Sequence, residues 1–198
     1  MFLKRLHKPL EEAIDESTLE VPTDVQKKCI PQMKSGQDVL CIDDKGTGKS
    51  TALVIAVIHK LKEAVADVPR AMIIVPDAEK GAELEEMFTL YGKYTNLRIH
   101  SAYEVRLIED QRDKIYFGTD IVIGTAKQIN TLYRISGINI TGMQLFALDD
   151  AHRVIRDANQ SLIERLFEVL PKCQRVIVSD EYNTKIARIE DQHMSIFL

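Results

Sequence analysis

The sequence has few cysteines, few glycines and prolines, no long apolar run and no excess of positive charge. Its three cysteines, Cys29, Cys41 and Cys173, are far apart, odd in number and without metal-ligand spacing. They point to neither a disulfide frame nor a zinc site and read as buried core thiols. Nine glycines and six prolines in 198 residues, with 45% hydrophobic and 28% charged residues, exclude fibrous and disordered classes and fit one globular domain. No stretch approaches the roughly 20 apolar residues of a membrane span. Phe2-Leu3 is followed at once by Lys4, Arg5, His7 and Lys8, so no export signal is expected and the cytoplasm is the expected compartment. A formal charge of -4 excludes a protein that grips nucleic acid by bulk electrostatics; any such contact must be local. There is no internal repeat, low-complexity tract or linker.

What is present is an alternation. Short β-branched apolar runs recur at 38–42, 71–75, 97–100, 121–123, 145–148 and 176–178, the mark of buried parallel strands. Between them apolar residues follow helical spacing, as at Leu53, Val57 and Leu61, and at Leu162, Leu166, Val169 and Leu170. Strand–helix alternation of this kind predicts an α/β fold with a mostly parallel central sheet and helices on both faces. Its ligands are expected at the carboxyl ends of the strands. An N-terminal segment, 1–36, is expected to add helices over 9–16 and from 24 towards 34, the second ended by Ser35-Gly36, and to join the 37–198 core in one domain.

The string Asp43-Asp44-Lys45-Gly46-Thr47-Gly48-Lys49-Ser50 follows an apolar strand and opens an amphipathic helix. That context makes it a phosphate-binding loop. Gly46 and Gly48 let backbone N–H groups curl around phosphate oxygens, Lys49 supplies a point charge, and Ser50 is a magnesium ligand. Lys45, Thr47 and Thr51 complete the expected phosphate contacts. One residue breaks the pattern: Asp43 stands where the template has its first glycine, with Asp44 after it. Two carboxylates beside the phosphates would cost on the order of 2 kcal/mol at an effective dielectric near 20, unless Asp43 points away.

A magnesium-bound phosphate also calls for an acid on a neighbouring strand, and Leu145-Phe146-Ala147-Leu148-Asp149-Asp150 supplies one. Alone, the pair reads as a strand ending in a solvated turn that caps the next helix. Beside the loop, it reads as Asp149 holding magnesium and Asp150 polarising the attacking water.

With both elements placed, the sequence resembles the first RecA-like domain of DEAD-box RNA helicases over nearly its whole length. Val21-Pro22-Thr23-Asp24-Val25-Gln26 with Ile30-Pro31 is similar to the Q motif of that family. The resemblance implies that Gln26 reads the adenine edge, with Pro22 and Thr23 beside it and Phe2 at the place of the adenine-stacking aromatic. It implies ATP and Mg2+ as ligands, catalytic roles for Lys49 and Asp150, single-stranded RNA as a weak partner, and a second RecA-like domain or protein partner that completes the site.

Other family motifs are present in place but altered. PTRELA appears as Pro76-Asp77-Ala78-Glu79-Lys80-Gly81 and TPGR as Thr125-Ala126-Lys127-Gln128, each without its arginine. Lys80 and Lys127 could reach a phosphate from shifted positions or simply be solvated; Thr125 keeps its place. Ser101-Ala102-Tyr103, after the third strand, lacks the family's paired glycines. The acidic box reads Asp149-Asp150-Ala151-His152. Aspartate for glutamate at 150 retracts the base by roughly 1.5 Å, and a misplacement of about 1 Å can cost on the order of a hundredfold in rate. Ser-Ala-Thr, which links the box to RNA, appears as Ser179-Asp180-Glu181. One expectation is an ion pair of His152 with Asp180 or Glu181; the other is two unrelated changes.

Two functions follow. One is a helicase-like ATP-binding domain with weak or partner-dependent hydrolysis and no unwinding alone, since little chain follows Ser179 and the second domain is expected to be absent. The other is a degenerate module used in nucleotide sensing or protein binding. A nucleotide kinase or GTPase is disfavoured by the Q-motif resemblance and by the lack of an Asn-Lys-x-Asp string.

Overall fold

A computed structural model describes residues 6–17, 19, 21–65, 67–103 and 107–195. The expected adenine-stacking residue Phe2 lies outside them. The apolar runs form six strands: β1 Val39–Ile42, β2 Ala71–Val75, β3 Ile99–Ala102, β4 Ile121–Thr125, β5 Leu145–Leu148 and β6 Gln174–Ser179. They make one sheet in the order β1-β6-β5-β2-β4-β3. Every pairing is parallel.

Burial on both faces explains why these strands read as continuous apolar runs. All five residues of β2 are buried. Ala71, Ile73 and Val75 join one core cluster and Met72 and Ile74 the other, as the two-residue period of a strand requires. The first cluster holds α1 Lys8–Asp15, α2 Asp24–Ser35, α3 Lys49–Leu61 and α4 Ala78–Tyr91. The second holds α5 Ile108–Tyr116, α6 Ala126–Arg134, α7 Ala151–Val154, α8 Asp157–Val169 and α9 Thr184–His193. The expected α/β architecture is therefore present. Among the described residues no helix is long and apolar enough to cross a membrane.

Several boundaries differ from the sequence expectation: β1 and α1 shift by one residue, β4 runs on to Thr125, and β3 and β6 move furthest. The third strand runs Ile99–Ala102 instead of 97–100. Arg98 is drawn to Asp120 at the strand entrance, through its backbone N–H at 3.0 Å and its Nε at 2.9 Å. At the other end, Gly124 lets the pairing continue through Ala102, because a Cβ there would meet the Ala102 carbonyl. The sixth strand extends from Gln174 to Ser179, one residue past the apolar run, and this extension matters for the site.

Asp120 ties the amino ends of the strands together. It is fully buried, with Arg70 Nη2 at 2.6 Å beside the Arg98 bonds. Burial pushes its carboxyl up, but the bonds from Arg98 and Arg70 outweigh this and hold it below the ordinary carboxylate range. Asp120→Asn would strand the buried Arg70 guanidinium without a counter-charge. Urea unfolding should then register a loss of about 3–5 kcal/mol.

Candidate functional site

Four strand ends and the helices after them enclose the site. Between β1 and α3 the chain turns through Gly46 at φ 84° and Gly48 at φ 90°, left-handed values that glycine adopts without strain. Gly48 also needs to lack a side chain, because a Cβ would collide with the amide of Gln26. Thr23 and Gln26 form a capping box at the start of α2. From it, Thr23 Oγ1 donates to the Thr47 carbonyl at 2.7 Å and Gln26 Nε2 to the Gly48 carbonyl at 3.2 Å. Gln26 Oε1 accepts from Thr23 N–H at 3.0 Å. Gln26 is buried behind the loop, where it braces the loop, and neither it nor Pro22 or Thr23 lines the cavity in front.

That cavity, about 640 Å³, is walled by the loop, the first turns of α4, α7 and Asp180. Lys49 Nζ donates to the carbonyls of Asp43 and Asp44 at 2.7 and 2.6 Å and stands 3.0 Å from Asp180 Oδ1. The carboxylates of Asp43 and Asp44, expected to crowd the phosphates, do not line the cavity; Asp43 Oδ1 turns back to accept the Asp44 N–H at 2.9 Å. The carboxylate in front of Lys49 is Asp180. It arrives there because β6 pairs with β1, so that Ile42 and Ser179 lie side by side.

Ser50 Oγ donates to Asp149 Oδ1 at 3.0 Å, joining the loop to the acidic strand end. Asp149 is fully buried; its Oδ1 also accepts the Asp150 N–H at 3.1 Å, while its Oδ2 has no hydrogen-bond partner. Burial pushes the Asp149 carboxyl up to about 6, against the pull of Lys80 and the Ser50 bond. Lys80 Nζ lies 3.8 Å from that orphaned oxygen and 3.0 Å from Glu83 Oε2. Burial lowers the Lys80 pKa, but Asp149, Glu83 and Asp150 outweigh it and hold the ammonium above its ordinary value. Lys80 is thus a wall of the cavity, not a solvated lysine.

Asp150 sits at φ 55°, a left-handed conformation uncommon for a residue with a side chain. Its carboxylate is 3.3 Å from Arg153 Nη1, and Arg153 Nη2 is 2.5 Å from Asp77, the N-cap of α4. Sequence reasoning missed Arg153 and Asp77; the residue after His152 carries no local signal that it faces a strand end far upstream. Of the two alternatives for His152, the ion pair with Asp180 or Glu181 is not found among the described residues. His152 Nδ1 meets Ser179 Oγ at 3.0 Å, and the same hydroxyl accepts the His152 N–H at 3.2 Å and donates to the Glu181 carbonyl at 2.8 Å. The hydroxyl partner of the box is therefore retained, and Asp180 is released to face Lys49. Thr125 caps α6 by accepting the Gln128 N–H at 3.3 Å, and the exposed Lys127 lies outside the cavity.

The buried Asp149 has a measurable consequence. A folded-state pKa of about 6, against an ordinary 3.8, means the folded chain holds this proton more tightly. Stability is then lost as pH rises from about 4 to about 6, by about 3 kcal/mol in all. Asp149→Asn escapes that loss. In chelator-treated buffer its urea-unfolding free energy should exceed wild type by about that amount at pH 7 and match it near pH 4; a variant less stable at pH 7 would refute the assignment.

Residues 23–180 match the family model described as DEAD/DEAH box helicase. The chain is 29% identical to the ATP-dependent RNA helicase RhlB of Shewanella woodyi, over 96% of this chain and 45% of that protein. It is 24% identical to the ATP-dependent RNA helicase eIF4A of Pyricularia oryzae, over 80% of this chain and 40% of the relative. The chain thus spans about half the length of the curated relatives it matches. A crystal structure of a DEAD box protein from Methanococcus jannaschii superposes with a TM-score of 0.87 at 23% identity, covering 96% of this chain and 52% of that one, which establishes the RecA-like fold. On these grounds the chain belongs to the DEAD/DEAH box helicase family.

Proposed function

We propose that this chain is an ATP-binding domain of the RNA-helicase type, whose hydrolysis is weak or waits on a second RecA-like domain or a protein partner. The observation that carries the reading is the Ser50–Asp149 hydrogen bond at 3.0 Å, set in a cavity floored by a glycine loop with a buried lysine. Lys49 and the N–H groups opening α3 would hold the phosphates. Ser50 and Asp149 present the oxygen donors a hard divalent cation requires, so they would hold Mg2+. When bound, that ion supplies charge neutralisation at the phosphates.

This chain's own residues then divide the work. Lys49 must exchange Asp180 for phosphate oxygen, so binding is weakened by the energy of that pair. Asp150 is the residue placed to orient a water, but its carboxylate is braced by Arg153 and is one methylene shorter than a glutamate, which supports slow turnover. Gln26 keeps the loop in shape from behind, and a role toward adenine would require it to move from Gly48. RNA contact rests on Thr125 and Lys127 at the end of β4 without the family's arginines, which supports weak binding.

A second reading, nucleotide sensing without turnover, is favoured by the Lys49–Asp180 pair and the braced Asp150. The two separate in a phosphate-release assay: RNA-stimulated turnover supports the first, and tight ATP binding with no turnover supports the second.

Calorimetric titration of Mg-ATP and Mg-ADP should give saturable binding that Lys49→Ala abolishes and Gln26→Ala weakens; equal affinity in all three proteins would sink the nucleotide reading. In the same titration Asp180→Ala should bind about five- to tenfold more tightly, because Lys49 no longer has a competing carboxylate. Unchanged affinity would mean that Asp180 does not compete with phosphate.

A further inference from the structure

The first turn of α4 is placed by the sheet. β2 and β5 pair in parallel with Ile74 opposite Leu148, and the Asp149 N–H donates to the Ile74 carbonyl at 3.0 Å, so the chain leaving β2 and the acid leaving β5 emerge side by side. Asp77 caps α4 by accepting the Lys80 N–H at 2.9 Å, which fixes Lys80 on the first turn. Side chains lean toward the amino end of their helix, so the lysine stem runs back over that turn toward Asp149. Its ammonium is nearly buried, bonded to Glu83 and 3.8 Å from the Asp149 oxygen that no hydrogen bond satisfies. It stands within ion-pair distance of the carboxylate assigned above to the divalent cation.

We infer that Lys80 is a built-in counter-cation which takes over part of the magnesium's role, so that this chain binds nucleoside di- and triphosphates nearly as well without a divalent metal as with one. The inference rests on the nucleotide reading above. Three observations carry it. The Asp149 Oδ2 atom is fully buried without a hydrogen-bond partner and has an ammonium as its neighbour at 3.8 Å. That ammonium lines the same cavity as Lys49 and Ser50, so it sits where phosphate charge would arrive. The cavity wall sets Asp77, Glu79, Glu83, Asp150 and Asp180 against Lys45, Lys49, Lys80 and Arg153, so without Lys80 the acids would outnumber the cations by five to three where an anion enters. A metal ion approaching Asp149 must share the carboxylate with Lys80, and the like charges oppose each other.

The test is displacement of a fluorescent N-methylanthraniloyl ADP, with excess Mg2+ and with EDTA, on wild type, Lys80→Met and Lys80→Arg. For wild type the two dissociation constants should agree within about threefold; Lys80→Met should lose about tenfold or more on chelation, and Lys80→Arg should behave as wild type. A wild-type protein that loses about tenfold on chelation, or a Lys80→Met protein with wild-type metal dependence, overturns the inference while leaving nucleotide binding intact. No binding under either condition overturns the nucleotide reading and this inference with it. A second measurement needs no nucleotide: Mn2+ titrated into the chain and followed by electron paramagnetic resonance should bind Lys80→Met more tightly than wild type, by about tenfold. Equal Mn2+ affinity in the two proteins counts against Lys80 as the occupant of the cation position.

Discussion

The parallel pairing of β1 with β6, β6 with β5 and β5 with β2 puts four strand ends on one edge of the sheet, and each feature of the site depends on that alignment. β1 delivers the glycine loop, β5 the acidic pair, β2 the start of α4 and β6 the residues after Ser179. Because the strands are buried on both faces, a slip of one residue would exchange the two cores, so the register is tightly specified. The 3.0 Å bond between Ser50 and Asp149 therefore has its geometry set by packed apolar residues well behind it.

The edge differs from a simple phosphate site in how its charges are partnered. Each cation reaching the cavity from the loop, α4 or α7 that has a described ion pair is matched to a nearby carboxylate: Lys49 to Asp180, Lys80 to Glu83 and Asp149, Arg153 to Asp77 and Asp150. The departures of this chain from the helicase motifs are thus not scattered losses. Lysine at 80 and aspartate at 180 both reach the cavity, and each has a partner of opposite charge there.

Much of the fold and part of the site were legible in the sequence. The strands stood out because burial on both faces leaves continuous apolar runs, and the loop because Gly46 and Gly48 adopt backbone angles that side chains resist. That an acidic strand end lies near the loop is an expectation from the chemistry of a phosphate-bound metal, and the structure brings Asp149 to Ser50. What could not be read were contacts set by strand order. Asp180 meets Lys49 only because β6 is the neighbour of β1, which no local pattern reports. The ion pair considered for His152, with Asp180 or Glu181, gave way to Ser179 for a related reason: β6 continues through Ser179, beyond its last apolar residue. For Gln26 the motif shows which residue is present, but not that its amide reaches across to the Gly48 carbonyl.

The pair between Lys49 and Asp180 also bears on time, not only on affinity. An anion reaching the loop does not meet an open lysine; it has to wait until Asp180 lets go, or displace it in passing. Because a side-chain ion pair opens on the nanosecond scale, the exchange does not slow capture; it acts on release, since Asp180 stands ready to retake Lys49 and shortens the anion's stay.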